Sequence, residues 1–180
     1  MIYLFLADGF EECEALAPLD ILRRGGTQVK TVGVGKEYIT GTHGITVKAD
    51  ILEGQVVLDD KLQGVILPGG MPGTNNLERN ETVKRAVSFA NENQKLVCAI
   101  CAAPKILGGM GLLNNKNATC FPGFEKDLIG AKLSSDYVVQ DGNVITAKGV
   151  GVAFDFGFKI LENLTDKTTV EDLRKKMQFS

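Results

Sequence analysis

Two cysteines three residues apart, Cys98 and Cys101, end an apolar run in "KLVCAICAAPKILGGMG", residues 95–111. That spacing suits a redox CxxC pair, half of a metal site, a nucleophile on a turn, or ordinary core. A zinc site needs a second CxxC or paired histidines to complete it. The chain has one histidine, His43, and its other cysteines, Cys13 and Cys120, stand alone. No metal is therefore expected. A thioredoxin-like CxxC opens a helix, whereas Cys98 falls inside the apolar run and only Cys101 reaches its end. A Cys98–Cys101 disulfide would require Cys98 to leave the strand. Cys101 is left as a side chain at a strand-to-helix turn, with the small neighbours Ala99, Ala102 and Ala103. There, a helix N-terminus would favour a thiolate. Free cysteines are also among the most buried residues, so from position alone a nucleophile and an inert thiol stay equally open.

Two other stretches carry groups that can act on such a sulfur. In "LPGGMPG", residues 67–73, Gly69 and Gly70 could aim backbone N–H groups at an anion, or serve a tight turn at positive φ. No GK[ST] follows, so this is not a P-loop. "KGVGVA", residues 148–153, has the same ambiguity. In "DGFEECEA", residues 8–15, Glu11, Glu12 and Glu14 surround Cys13 where a loop enters a helix. Carboxylates are favoured at a helix start by the dipole; alternatively, one of them reaches the cysteine.

The elements that must position these groups can be read from periodicity. Ile2–Ala7, Val65–Leu67 and Leu96–Ile100 are apolar on both faces, as in strands of a parallel sheet covered by helices. Helical patterns span residues 11–24 and 81–92, the second with Val83, Ala86, Val87 and Ala90 on one face and Asn80 as N-cap. Pro18 should kink or interrupt the first helix, and Gly25–Gly26 should end it. Residues 28–34 read as a strand, 37–49 as a hairpin, and 137–147 as a hairpin turning at Asp141–Gly142. A helix over about 152–163 follows, and a last helix starts near Thr168 with a Thr168/Glu171 capping box. Strand–helix alternation predicts an α/β doubly wound fold, whose sites lie at the carboxyl ends of strands. Asp8–Glu14, Pro68–Gly73 and Cys101 all fall at such ends.

Composition sets bounds on the whole. A chain of 180 residues suits a single domain, residues 1–180, and its 44% apolar and 23% charged content is ordinary for a globular protein. Net charge is −2 with scattered basic residues, so neither a nucleic-acid nor a membrane partner is expected. The start, "MIYLFLADGFEECE", has no basic lead-in and reads as a strand instead of a signal peptide. Free thiols in a cytoplasmic protein are the expectation.

Four segments come in order: "DGFEECEALAPLDILRRGG", "VILPGGMPGTNNL", "AICAAPKILGGMGLL" and "TAKGVGVAFDFGFKILENL". Together they resemble the ThiJ/PfpI superfamily (class I glutamine amidotransferase-like), in its Parkinsonism-associated, deglycase-like branch. The resemblance implies a flavodoxin-like sandwich, a homodimer and no cofactor. It implies a reactive elbow cysteine in strained geometry at Cys101, and a carboxylic acid hydrogen-bonded to it at Glu14. The N–H groups of Gly69, Gly70 and Ala102 would form an anion pocket. A protonated Glu14 could hold a thiolate by donating to it, since two acids sharing a site push their pKa values apart.

The sequence also departs from the superfamily. Ala102 stands where many members place a histidine after the nucleophile. Phe121, beside Cys120, occupies a second histidine position, and His43 matches no catalytic position. A Cys–His dyad and protease activity are therefore not expected. The implied activity is a glyoxalase or deglycase acting on small aldehydes or glycated substrates through Cys101 and Glu14. The alternative is an oxidative-stress sensor or chaperone-like protein with an oxidisable Cys101 and no robust turnover, in which Cys13 or Cys120 could serve as secondary thiols.

Overall fold

The protein is described by a computed structural model covering residues 1–179. In chain order its elements are β1 (Ile2–Leu6), α1 (Glu12–Arg24), β2 (Val29–Gly33), β3 (Tyr38–Thr40), β4 (Thr46–Lys48) and β5 (Ile51–Leu52). Next come β6 (Gly64–Leu67), α2 (Gly73–Arg79), α3 (Glu81–Glu92), β7 (Leu96–Ile100) and α4 (Pro104–Gly109). The chain continues with β8 (Asn117–Ala118), β9 (Lys132–Leu133), β10 (Val138–Asp141), β11 (Val144–Ala147), α5 (Ala153–Glu162) and α6 (Lys167–Lys176).

Seven strands form one sheet in the order β10-β11-β7-β6-β1-β2-β5. Every neighbouring pair is parallel except the β10–β11 hairpin. The expectation of a mainly parallel, flavodoxin-like sheet with added hairpins is met. β1, β6, β7 and β11 bury every residue, because helices cover both faces. Successive side chains alternate between two cores. Leu4, Leu6, Ile66, Cys98 and Ile100 pack with α1, α5 and α6. Phe5, Val65, Leu67, Val97 and Ala99 pack with α2, α3 and α4. Among the described residues no helix is long and apolar enough to cross a membrane.

Several local expectations hold. Asn80 caps α3, its Oδ1 accepting from the Val83 N–H at 3.0 Å. β3 and β4 pair as a hairpin, and β10–β11 turns at Gly142 with φ +61°. Three points differ. Pro18 does not interrupt α1, which runs unbroken from Glu12 to Arg24. Proline removes one helical N–H bond, but tertiary packing supplies most of a helix's stability, and α5 packs directly on this segment. A Cβ at Gly157 of α5 would lie 2.9 Å from the Pro18 Cα and 2.8 Å from Ile21 Cδ1; the glycine is what lets the helices meet. The last helix is capped by Asp166, not Thr168. The Asp166 carboxylate accepts from the Thr169 N–H at 2.8 Å and from its hydroxyl at 3.1 Å, and Asp outranks Thr as an N-cap. Finally, "GTNNLER" forms α2 without an apolar period. It is tied to the β1 end instead, with the Gly73 N–H on Gly9 O at 3.1 Å and Asn76 Nδ2 on Asp8 O at 2.9 Å.

Candidate active site

The carboxyl ends of β1, β6, β7 and β11 bring four distant loops to one edge of the sheet. Cys101, the first residue after β7, has φ +65°. That left-handed conformation costs a residue with a Cβ about 1–2 kcal/mol. It is held from both sides. The Cys101 N–H donates to Ala147 O at 2.9 Å, and its carbonyl accepts from the Phe121 N–H at 2.9 Å. Such over-determined strain is a feature of functional sites. Ala102 and Ala103 are small because they are buried. The expected helix N-terminus at the sulfur is displaced: α4 begins only at Pro104 and is six residues long. The donors to the sulfur are instead the N–H groups of Ala102 and Gly70.

Glu14, 1% exposed, projects from the first turn of α1 to hydrogen-bond with Cys101. Its Oε2 accepts from the Gly69 N–H at 3.0 Å, and the Val150 N–H is a further donor. Gly69 therefore serves the carboxyl and does not join the anion pocket expected of it; Gly70 and Ala102 are left for that role. Gly70 takes φ +90° against the backbone of Gly9–Glu11, where no side chain fits. Val150, after "KG", is the contributor that sequence reasoning missed. The doublet of glycines at 149 and 151 was its only signal.

Burial governs the chemistry of the pair. It lifts the Glu14 carboxyl to about 7; the Cys101 bond opposes the rise, Glu11's charge adds to it, and the Gly69 and Val150 N–H groups oppose it. Burial likewise pushes the Cys101 thiol up to about 12, with Glu14's charge and hydrogen bond adding, and the Ala102 and Gly70 N–H groups opposing. A standing thiolate with no proton nearby is not what this site favours. Both shifts disfavour charge at the site, and each group is among the causes of the other's shift, so the two titrate as a coupled pair.

The other two acids have separate tasks. Glu11 caps α1, accepting the Glu14 N–H at 2.7 Å. Glu12, 3% exposed, is clasped by the β3–β4 tip. It accepts from the His43 N–H at 2.6 Å, from Thr42 Oγ1 at 3.1 Å, and faces His43 Nδ1 at 2.8 Å. Burial would raise its pKa, but the His43 and Thr42 bonds win and bring it to about 2. Donor atoms of Glu11, Glu12 and His43 lie within 4.8 Å of one another. Both Glu12 oxygens are already engaged, so the cluster works as an ion pair. His43 is thus committed to Glu12.

The remaining thiols stand apart. Cys98 is fully buried within β7 and its thiol is pushed far up by burial, which rules out the CxxC as a working pair. Cys13 is exposed on α1. Cys120 is buried, its thiol pushed up to about 11 by burial and by the charges of Glu125 and Asp127. All four cysteines are free.

The model of the DJ-1/PfpI family matches residues 1–163. Protein dj-1beta of Drosophila melanogaster is 34% identical over 175 residues, 96% of this chain and 93% of that protein. A deglycase of Pyrococcus abyssi is 32% identical over 155 residues, 83% of this chain and 90% of the other. Among solved structures, a DJ-1 superfamily protein from Salmonella typhimurium, crystallised as a cysteine-to-alanine mutant, superposes with a TM-score of 0.93. The two are 32% identical, covering 99% of this chain and 98% of the other.

Proposed function

Because the chain belongs to the DJ-1/PfpI family, we propose that it is a cofactor-free enzyme acting on small reactive carbonyls, with Cys101 as nucleophile and Glu14 as proton carrier. The observation that carries this reading is the buried Glu14 carboxyl facing the Cys101 sulfur across the bare Cα of Gly69. The similarity to a protein named a deglycase supports the same substrate class.

With an α-oxoaldehyde such as methylglyoxal, the Cys101 sulfur bonds to the aldehyde carbon while its proton passes to Glu14. Glu14 returns that proton to the new alkoxide, giving a hemithioacetal. The carboxylate then takes the C–H proton of that carbon as the neighbouring ketone becomes an enediol. Reprotonation at the former ketone carbon leaves a thioester, and water releases the 2-hydroxy acid and the thiol. The substrate is isomerised and hydrated, so no external oxidant or reductant enters. The Gly70 and Ala102 N–H groups stabilise negative charge at the reacting centre. Removal of an early glycation adduct from an amine would use the same carbonyl chemistry. A homodimer in the cytoplasm belongs to the same proposal, testable by sedimentation and by fractionation.

The deciding experiment is methylglyoxal turnover by wild type and Cys101→Ala, with lactate as product. Loss of turnover in the variant supports the reading, and full retention overturns it. The donor set around the sulfur favours one second reading. Two N–H groups and the Glu14 proton could equally hold the oxygens of a sulfinate, making the chain an oxidant sensor. Gain of two oxygens at Cys101 under mild peroxide, without carbonyl turnover, would select that reading.

A further inference from the structure

Lys105, the second residue of α4, has no part in the chemistry above. Its side chain is only 18% exposed, the least of any cation that forms an ion pair among the described residues. Its Nζ pairs with Glu78 Oε2 at 2.9 Å and donates to Asn75 Oδ1 at 3.0 Å, both on α2. Among the described residues these are the only hydrogen bonds that join α2 to α4. The helix α2 needs such a tether. It is seven residues long and has no side-chain N-cap, and a helix that short is marginal without outside contacts. It also buries the Thr74 hydroxyl with no partner, so its place is imposed by what surrounds it.

The bridge spans the two donors of the anion pocket. On one side, the Thr74 N–H donates to Gly70 O at 2.8 Å, which ties Gly70 to the start of α2. On the other, the Lys105 N–H donates to Ala102 O at 3.2 Å. The ladder between β6 and β7 reaches only to Leu67 and Ala99, so residues 70 and 102 lie beyond its support. Lys105 therefore holds Ala102 through its backbone, and α2 with Gly70 through its side chain. We propose that Lys105 is a positioning residue for the anion pocket: its bridge to Asn75 and Glu78 fixes α2 against α4, and with them the spacing of the Gly70 and Ala102 N–H groups around the Cys101 sulfur. This rests on the reading of Cys101 as nucleophile and names the residue that keeps its pocket in shape. Preorganised donors need no rearrangement as charge develops, so the effect falls on kcat more than on KM.

The test compares Lys105→Met, which keeps the aliphatic stem, with Lys105→Arg, which keeps the charge and the donors, and with Glu78→Gln. Lys84→Met, which removes an exposed pair with Glu81 on α3, is the control. With methylglyoxal, Lys105→Met is expected to lose about fivefold or more in kcat with KM within about twofold, and Lys105→Arg to recover most of that loss. A readout independent of turnover is the rate at which iodoacetamide labels Cys101 at about pH 8, where the rate follows the thiolate fraction. The Gly70 and Ala102 N–H groups favour that thiolate. Weakening them should slow labelling, resolved by peptide mapping, about threefold or more in Lys105→Met and Glu78→Gln, and Lys84→Met should match wild type. A purely structural role has the opposite sign, because a loosened turn exposes the sulfur and is labelled faster. Labelling and kcat that Lys105→Met leaves unchanged, or labelling that becomes faster, would overturn the proposal. If Lys105→Met does not fold, the direction of the Glu78→Gln labelling change decides. Full turnover by Cys101→Ala would defeat the carbonyl reading alone, and the labelling rates would still decide the role of Lys105.

Discussion

Glu14 and Cys101 face each other across the bare Cα of Gly69: a Cβ there would stand 2.5 Å from Glu14 Oε2 and 3.1 Å from the Cys101 sulfur. The contact exists only because residue 69 has no side chain. Gly69→Ala must push the two groups apart, an overpacking that typically costs about 1–3 kcal/mol. The variant is expected to fold with a lowered urea midpoint and to lose at least tenfold in Cys101 alkylation rate or carbonyl turnover. Unchanged reactivity would show that the pair does not act together.

The raised pKa values of Glu14 and Cys101 set a pH profile. Carbonyl turnover should rise as the pair loses its first proton near pH 7 and hold a plateau above it, because the second proton leaves only near 12. Glu14→Gln cannot accept the thiol proton, so turnover should fall by about 10²–10⁴ and the rise near pH 7 should vanish. A Glu14→Gln profile that kept that rise would assign it to another group.

Strain at Cys101 can be measured without its chemistry. Cys101→Ala and Cys101→Gly both remove the sulfur, but only alanine keeps a Cβ at φ +65°. Equilibrium urea unfolding should find Cys101→Gly more stable than Cys101→Ala by about 1 kcal/mol, reversing the usual order of the two residues. Equal stabilities would mean that the turn bears no strain.

The Glu12–His43 ion pair should appear in the pH dependence of stability. Glu12 titrates below its ordinary 4.5, so its contribution is present above pH 4.5 and fades as pH falls toward about 2. His43 is raised above its ordinary 6.5, chiefly by its bond to Glu12, so its contribution is full below pH 6.5 and fades as pH climbs through the elevated value. The gap in urea midpoint between wild type and His43→Ala should therefore be widest at pH 4.5–6.5. It should narrow on either side, and a gap that is flat with pH would remove the ion pair as its cause.

Much of the scaffold could be read from local pattern. The doubly apolar runs at Ile2–Leu6 and Leu96–Ile100 had to be interior strands, since only a sheet covered on both sides hides both faces. Asn80 as a cap and the turn at Gly142 follow from chemistry within a few residues. The elbow position of Cys101 follows from where its strand stops. Position alone could not rank Glu11, Glu12 and Glu14, which share one helix start and one dipole; only the family resemblance singled out Glu14. Their division into cap, ion pair and sulfur partner depends on what each meets across the sheet edge: Glu14's own backbone N–H, His43, and Gly69 with Cys101. The Val150 donor, the diversion of the Gly69 N–H and the unbroken path of α1 past Pro18 have the same origin. Periodicity and capping are properties of neighbours in sequence. Burial, and with it the upward shift of the Glu14 and Cys101 pKa values, comes from packing segments far apart in the chain, so it was settled only when β1, β6, β7 and β11 brought their ends together.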